Sequence, residues 1–312
     1  MKSAILIHCL DWAADGSEFN LGQGVSLCRT NGSDVERLYH QVCETQNVDE
    51  GDPFSYDAHV LLTEEALDDS YPYWGGPFSI ISRCCNFIAL CTSSSLGMCR
   101  LLTSKDDFNT SWTPSMIIYE DHPDAEILRA YPDFLSMAAD GTITTTNERF
   151  PVLDDSTLQI IARCWDTYHT LRLSNNIDNH RIANALSYFF YSWRSYYMDH
   201  VCLNLAILLE TLFSPSSTQE LSHQISFNVS RFYENTGEKQ EALYKKVKRF
   251  YAVRSQIVHG GQAKDKGLYT LTPEMFHLCS QILIHILSNT DVATRFCHEK
   301  ERTRLLSEWM FG

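Results

Sequence analysis

The chain has 312 residues, of which 44% are hydrophobic, so it is long and apolar enough for one large or two ordinary domains, and we expect two. No segment approaches the roughly 20 uninterrupted apolar residues of a membrane span, and the apolar run after the first methionine is too short for a signal peptide. We therefore expect a cytoplasmic protein without a membrane partner. Eleven cysteines without a secretory signal indicate reduced, mostly buried thiols.

Charge is divided unevenly along the chain. The net charge of −14 argues against a surface that attracts nucleic acid everywhere. Residues 1–200 contain 12 Lys and Arg against 28 Asp and Glu, whereas residues 201–312 contain 13 against 11. The two parts are therefore expected to face different partners.

Short strand-like segments and turn-rich loops fill residues 1–150. Ala4–Leu10, Gly97–Leu102 and Ser115–Tyr119 have the composition of strands, and Phe78–Leu90 has helix-compatible apolar spacing. This part contains no phosphate-binding glycine loop. We predict an acidic, irregular α/β domain, which makes the fold class of the whole chain α+β.

Glycine becomes scarce after residue 150, and the pattern turns helical. The first predicted helix starts at Asp155 or Ser156 and runs to about Leu173, and Asn179–Phe213 is predicted as one bent helix or two straight helices. Ser217–Glu220 is predicted to be a capping box for a helix that runs to about Glu234. Further helices are predicted over Glu238–Val258, from the start signal Thr272-Pro273-Glu274 onward, and over Asp291–Trp309. Helices of this length with short connections predict an all-α bundle over residues 151–312. Its centre is predicted to contain Leu203, Ile207, Leu208, Phe213, Ile225, Val229, Ile282 and Ile286.

One acid interrupts the predicted core. Glu210 lies in the apolar run Leu203–Phe213, and a buried carboxylate requires a cation. Arg254 is the natural partner. A purely structural pair is compatible with a functional one in which the carboxylate orients the guanidinium.

A basic amphipathic helix ends in the motif Arg254-Ser-Gln-Ile-Val-His259-Gly-Gly. Arg254 falls on the apolar stripe of this helix, so it needs a carboxylate, a partner subunit or a phosphate. The glycine pair stops the helix and places His259 in or next to the last turn. An imidazole and a permanently charged Arg are sufficient for acid/base cleavage of a phosphodiester without a metal. Spacing alone favours a helix-capping histidine and an Arg in a structural ion pair over a catalytic pair.

Positive charge is concentrated on the same helix, at Lys245, Lys246, Lys248 and Arg249. Tyr251 and neighbouring aromatics interleave with these charges and are expected either to stack unpaired bases or to pack in the core. The cysteines lack the paired spacing of a zinc site, and no other feature indicates a metal or a cofactor.

Two segments, Leu205–Phe213 and Phe250–Gly260, with Glu220-Leu-Ser-His223 between them, resemble the Apea-like branch of the HEPN superfamily over about residues 180–290. The resemblance implies an HEPN-like helical bundle that forms a homodimer, with two copies of the motif in one cleft. It assigns Arg254 and His259 as the catalytic pair.

In that scheme Ser255 and Glu210 support the catalytic pair, and Lys245, Lys246, Lys248 and Arg249 hold flanking phosphates of the RNA. The resemblance implies a metal-independent endoribonuclease that cuts RNA, for example tRNA, by attack of the 2′-hydroxyl. Many members act as toxins or abortive-infection effectors in anti-phage defence. Residues 1–150 would then either shield the basic cleft or bind a phage or host trigger. The alternative is a non-catalytic HEPN module for dimerisation, RNA binding or nucleotide sensing.

Overall fold

A computed structural model of the chain describes residues 3–8, 11–12, 15–16, 18–29, 58–63, 84, 86–88, 90–92, 97–103, 117–119, 135–137, 143–145, 152–173, 180–193, 195, 197–214, 220–260 and 265–311. The chain divides into two compact units, Met1–Asp166 and Thr167–Gly312. The sequence placed the boundary at residue 150, whereas the structure places it within a helix that begins at Asp155.

The strands belong to unit 1. They are β1 Ser3–His8, β2 Asp11–Trp12, β3 Glu18–Gly22, β4 Val25–Arg29, β5 Ala58–Thr63, β6 Gly97–Thr103, β7 Ile117–Tyr119, β8 Leu135–Met137, β9 Ile143–Thr145 and β10 Val152–Leu153. An antiparallel five-stranded sheet has the order β3-β4-β5-β1-β6. Strand β2 pairs with β10 in parallel, and β8 pairs with β7 in parallel and with β9 antiparallel. The three strands predicted from sequence are confirmed as β1, β6 and β7.

A hairpin and a tryptophan organise the buried part of unit 1. The β3-β4 turn passes through positive φ at Gly22, Gln23 and Gly24, a conformation that glycine adopts without steric cost. Trp165 is buried, and its indole N–H donates to the carbonyl of Gly22 at 3.3 Å. Phe87 meets the Trp165 ring edge-on at 5.7 Å. Phe87 lies in the predicted helix, whose described positions from residue 84 onward are helical; residues 78–83 lie outside the described part.

The helices are α1 Asp155–Leu173, which crosses the boundary, α2 His180–Trp193, α3 Met198–Phe213, α4 Leu221–Tyr233, α5 Gly237–Val258, α6 Asp265–Leu287, α7 Thr290–Cys297 and α8 Glu299–Phe311. The prediction of a mainly helical second part is confirmed, and the long run before residue 213 is two helices. None of the helices in the described part of the chain is long and apolar enough to cross a membrane.

Three helix starts differ from the sequence prediction. Asp154, rather than Asp155 or Ser156, caps α1 by accepting the N–H of Thr157 at 2.7 Å. Glu220 is the residue before α4 and has left-handed backbone, so it is not the third helical residue of a capping box; Ser217 lies outside the described residues. Pro273 is inside α6 rather than at its start, because packing of α6 outweighs the missing N–H of proline.

The last predicted helix is two helices, α7 and α8. Asn289 begins α7 and accepts the N–H groups of Asp291 and Val292 at 3.1 and 3.2 Å. His298 interrupts the helical backbone with an extended conformation between the two helices. No glycine or proline marks this break, which is why sequence alone joined the two helices.

Helix α3 is the central element of unit 2 and packs against α2, α4, α5 and α6. Its buried side chains include Cys202, Leu205, Leu208, Leu209, Leu212 and Phe213. Leu208, Phe213, Ile225, Val229, Ile282 and Ile286 are buried as predicted. The prediction was wrong for Leu203 and Ile207, which are only half-buried because they lie on the same side of α3 as Glu210.

The C-terminal turn of α3 is held by a buried arginine. The Arg302 side chain on α8 is 2% exposed, and its Nη1 donates to the main-chain carbonyls of Leu212 and Ser214 at 3.3 and 2.5 Å. Its Nη2 donates to Glu299 Oε1 at 2.7 Å. The last carbonyls of a helix have no partner within the helix, so Arg302 supplies the donors that this buried end requires.

A second arginine shares the same carboxylate. Arg181 on α2 donates to the carbonyl of Thr211 at 2.6 Å and to Glu299 Oε2. Burial raises the pKa of Glu299, but the hydrogen bonds and charges of Arg302 and Arg181 outweigh burial, so the pKa of Glu299 lies below its usual value. The two arginines and one carboxylate thus fix the end of α3 that carries Glu210.

Candidate functional site

The predicted pairing of Arg254 with Glu210 is confirmed as an ion pair between α5 and α3. Arg254 Nη2 lies 3.4 Å from Glu210 Oε1, and the two side chains are 32% and 22% exposed. Among the described residues, however, Glu210 Oε1 and Arg254 Nε have no hydrogen-bond partner although both atoms are buried. The pair is therefore electrostatic and leaves hydrogen-bonding capacity unused on both groups.

The surroundings of Glu210 disfavour its charge. Burial raises the pKa of this carboxyl, and the positive charge of Arg254 offsets only part of that increase, so the net pKa lies above its usual value. A half-buried carboxylate is a net cost to stability. A position retained at such a cost is typical of functional sites.

Glu210→Gln is expected to raise the free energy of unfolding at neutral pH. The upward pKa shift means that ionised Glu210 destabilises the folded chain even after the attraction of Arg254 is counted. The gain is absent at low pH, where Glu210 is protonated in both states, and it grows as pH rises above the ordinary value of 4.5. Denaturant unfolding at about pH 4 and about pH 7.5 measures it. A Gln variant less stable than wild type at the higher pH would contradict this reading.

Tyr251 links the same two helices from within the core. Its ring is buried and its hydroxyl donates to the carbonyl of Ala206 on α3 at 3.2 Å. Burial, and then the negative charge of Glu210, raise the pKa of this phenol. Of the two roles expected for Tyr251, the structure supports packing in the core and not stacking on RNA bases. Its ring packs in the core, and its hydroxyl fixes α5 to α3 close to the Arg254–Glu210 pair.

The other end of the motif is exposed. His259 is the residue after α5, and its N–H donates to the carbonyl of Ser255 at 3.1 Å. Gly260 follows with φ of +71°, and its N–H donates to the carbonyl of Ile257 at 3.1 Å. The helix stop predicted from glycine is confirmed at Gly260; Gly261 lies outside the described residues. Both the Ser255 and the His259 side chains face solvent.

The structure does not bring Arg254 and His259 into contact within the described part of one chain. Five residues at about 100° each put them about 140° apart around the helix axis. Arg254 accordingly lies on the buried face, next to Glu210, whereas His259 is on the exposed side. One chain presents the two halves of the expected catalytic pair on different sides of α5.

The basic side chains of α5 are exposed, but they are not equivalent. Lys245 pairs with Glu241 at 2.6 Å, and Lys246 pairs with Glu274 at 2.6 Å. Lys248 instead lies 3.4 Å from the hydroxyl of Tyr244. Arg249 has no ion pair or hydrogen bond with the described residues.

Sequence reasoning missed one polar contact near these cations. His223 on α4 lies with Nδ1 2.7 Å from the hydroxyl of Tyr244. The two residues are 21 positions apart, so no local spacing indicates that they meet. His223 is part of the segment that carries the family resemblance, but the resemblance assigns it no function.

Cys202 lies in a buried environment that disfavours a thiol nucleophile. Burial raises the pKa of Cys202 to about 12, and the positive charge of Arg254 lowers it only in part. A thiol with such a pKa is not a thiolate near neutral pH. In the described part of the chain, no cluster of His, Cys, Asp or Glu has an arrangement that could hold a metal ion.

No protein-family model, curated protein or solved structure matches this chain. The functional interpretation therefore rests on the motif, the contacts around it and their chemistry.

Proposed function

We propose that this protein is a metal-independent endoribonuclease of the HEPN type. The observation that carries the proposal is the Arg254–Glu210 pair. A partly exposed guanidinium with unused donors is oriented by a carboxylate whose own burial is unfavourable. An exposed imidazole, His259, ends the same helix. A guanidinium and an imidazole are the groups that phosphodiester cleavage needs at neutral pH.

In the proposed reaction the RNA 2′-oxygen attacks the neighbouring phosphorus and the bond from phosphorus to the 5′-oxygen breaks. His259 either removes the 2′-hydroxyl proton or protonates the leaving 5′-oxygen. Arg254 donates to the phosphate oxygens, whose negative charge increases in the transition state. The products are a 2′,3′-cyclic phosphate end and a 5′-hydroxyl end. Ser255, one turn before His259, contacts the imidazole or the substrate in this scheme.

A homodimer is part of the proposal, because one chain holds Arg254 and His259 on different sides of α5. Val258 lies one turn after Arg254 on the same face and is 51% exposed. Leu203 and Ile207 of α3 are half-buried on the side that carries Glu210. Apolar side chains that stay accessible near a charged pair are typical of a subunit contact. In a dimer formed through this contact, the motif of one protomer would share a cleft with the motif of its partner.

Val258→Glu is expected to convert the dimer to a monomer and to abolish cleavage with it, because a new charge would be buried without a partner in the contact. Light scattering coupled to size exclusion measures the molecular mass. Tyr191→Glu is the matched control, since Tyr191 is 57% exposed and lies on α2; it is expected to leave the mass unchanged. A Val258→Glu protein that keeps the mass and activity of wild type would exclude this face as the dimer contact.

The function itself is tested with purified protein, total tRNA and a generic single-stranded RNA in the presence of EDTA. We expect cleavage and 2′,3′-cyclic phosphate ends, because neither catalytic group requires a metal. RNA that stays intact with folded, dimeric protein would oppose the ribonuclease and favour a non-catalytic RNA-binding module.

A further inference from the structure

Tyr244 joins two basic side chains from neighbouring helices at the surface of unit 2. Its hydroxyl lies 2.7 Å from His223 Nδ1 and 3.4 Å from Lys248 Nζ. The His223 ring meets the Tyr244 ring edge-on with centroids 5.6 Å apart, and the Lys248 ammonium lies 5.7 Å from the Tyr244 ring centre. We name these three residues the His223 cluster. They are held together by contacts between α4 and α5 and do not depend on the motif residues.

The hydrogen-bond roles within the His223 cluster leave donors facing outward. An ammonium group has no acceptor, so Lys248 donates to the oxygen of Tyr244. The phenolic proton of Tyr244 is then available to His223 Nδ1, which favours the tautomer with its proton on Nε2. His223 is exposed, so Nε2–H and the remaining protons of Lys248 are donors without an internal acceptor. Two donors of this kind fit the oxygens of one phosphate.

Neighbouring carboxylates do not neutralise the His223 cluster. Glu241 on α5 forms an ion pair with Lys245, one turn later on the same helix, and Glu274 forms an ion pair with Lys246. No carboxylate contacts His223 or Lys248 among the described residues. Positive charge on this face is therefore concentrated at Lys248 and the adjacent Arg249, rather than spread evenly over the basic helix.

The His223 cluster is in line with the end of the motif. At about 100° per residue, Tyr244, Lys248, Ser255 and His259 fall within about 60° of one another around α5. Lys248 and His259 are separated by about 16 Å along the axis, a length that spans several stacked nucleotides of one strand. A single RNA strand can therefore follow one exposed stripe from the cluster to the imidazole.

We infer that His223, Tyr244 and Lys248 form a subsite for an RNA backbone phosphate several nucleotides away from the cleaved bond. The inference rests on the proposed ribonuclease function. It extends that function because it gives the path of the bound strand along α5. The subsite recognises the phosphate rather than a base, so it contributes affinity without sequence preference.

The test measures binding of a fluorescent 2′-O-methyl single-stranded oligonucleotide, which lacks the attacking hydroxyl and stays intact. We expect Lys248→Gln and His223→Gln to weaken binding about fivefold or more at low salt. Lys248→Gln removes one positive charge from the bound phosphate, so it should reduce the magnitude of the slope of log affinity against log salt by about 0.7. His223→Gln removes no charge in the tautomer above, so it should leave this slope unchanged. With cleavable RNA, the same variants are expected to raise KM and leave kcat unchanged.

Lys239→Gln is the matched control, since Lys239 is exposed on the same helix but lies about 180° around the helix axis from Lys248. It is expected to bind like wild type, and Lys248→Arg is expected to keep most of the affinity. Equal effects of Lys239→Gln and Lys248→Gln, or no effect of either in a protein that cleaves RNA, would overturn the subsite and leave the ribonuclease intact. Binding that depends on Lys248 in a protein without cleavage would support the subsite and overturn the ribonuclease.

Discussion

Replacement of His259 by alanine is expected to slow RNA cleavage about 100- to 10,000-fold, the usual loss when a general acid or base is removed. The fold should be unaffected, because the His259 side chain is exposed and its only hydrogen bond in the described structure is made by its main-chain N–H. Binding of the 2′-O-methyl oligonucleotide should also be preserved. Single-turnover cleavage in EDTA separates this chemical effect from binding and product release.

His277→Ala is the control for this prediction. His277 is also an exposed histidine of unit 2, on α6, and it has no role in the proposed reaction. The His277→Ala protein should cleave RNA at the wild-type rate. If His259→Ala cleaves as fast as His277→Ala, the imidazole is a helix-end residue only and the proposed mechanism is wrong. If both proteins are inactive together with wild type, the non-catalytic module is favoured.

The arrangement of the motif was partly predictable from sequence. Arg254 interrupts an apolar stripe on α5, and Glu210 interrupts another on α3. Two opposite charges at positions that must be buried require each other, so their pairing followed without a structure. The end of α5 was equally predictable, because Gly260 can adopt the positive φ found there.

Contacts between distant positions were not predictable. His223 and Tyr244 meet because α4 and α5 pack side by side, and neither residue has a local pattern that indicates the other. The two roles expected for Tyr251 could not be separated, because an aromatic residue between lysines fits stacking on a base as well as packing in a core. Only its depth below the surface, and its bond to Ala206, distinguish the two.

Helix boundaries were predicted wrongly where local sequence signals competed with packing. Pro273 is a good start signal for a helix, but α6 begins before it because the preceding turns bury Leu268 and Leu271. Burial of two leucines is worth about 3 to 6 kcal/mol, which offsets the roughly 3 kcal/mol cost of an interior proline. No sequence pattern indicated that Arg302 is buried, because an arginine in a charged helix normally faces solvent.

Arg302→Met is expected to lower the free energy of unfolding by about 3 kcal/mol, because methionine fills much of the space but donates no hydrogen bond to the end of α3. The carbonyls of Leu212 and Ser214 would lose their buried donor, and Glu299 would keep Arg181 only. For a chain of this size the melting temperature should fall by roughly 5 to 10 °C. Differential scanning calorimetry measures the shift.

Arg304→Met is the matched control for Arg302→Met, because Arg304 is on the same helix but exposed, with Glu308 one turn away at 3.1 Å. An exposed pair of this kind contributes about 0 to 1 kcal/mol, so the melting temperature should change little. Equal shifts for the two variants would mean that Arg302 does not support the end of α3. A large shift for Arg302→Met alone, with cleavage lost at temperatures where the variant is still folded, would connect this end of α3 to Glu210. The orientation of Arg254 would then depend on a residue far from the motif in sequence, through the helix that carries its carboxylate.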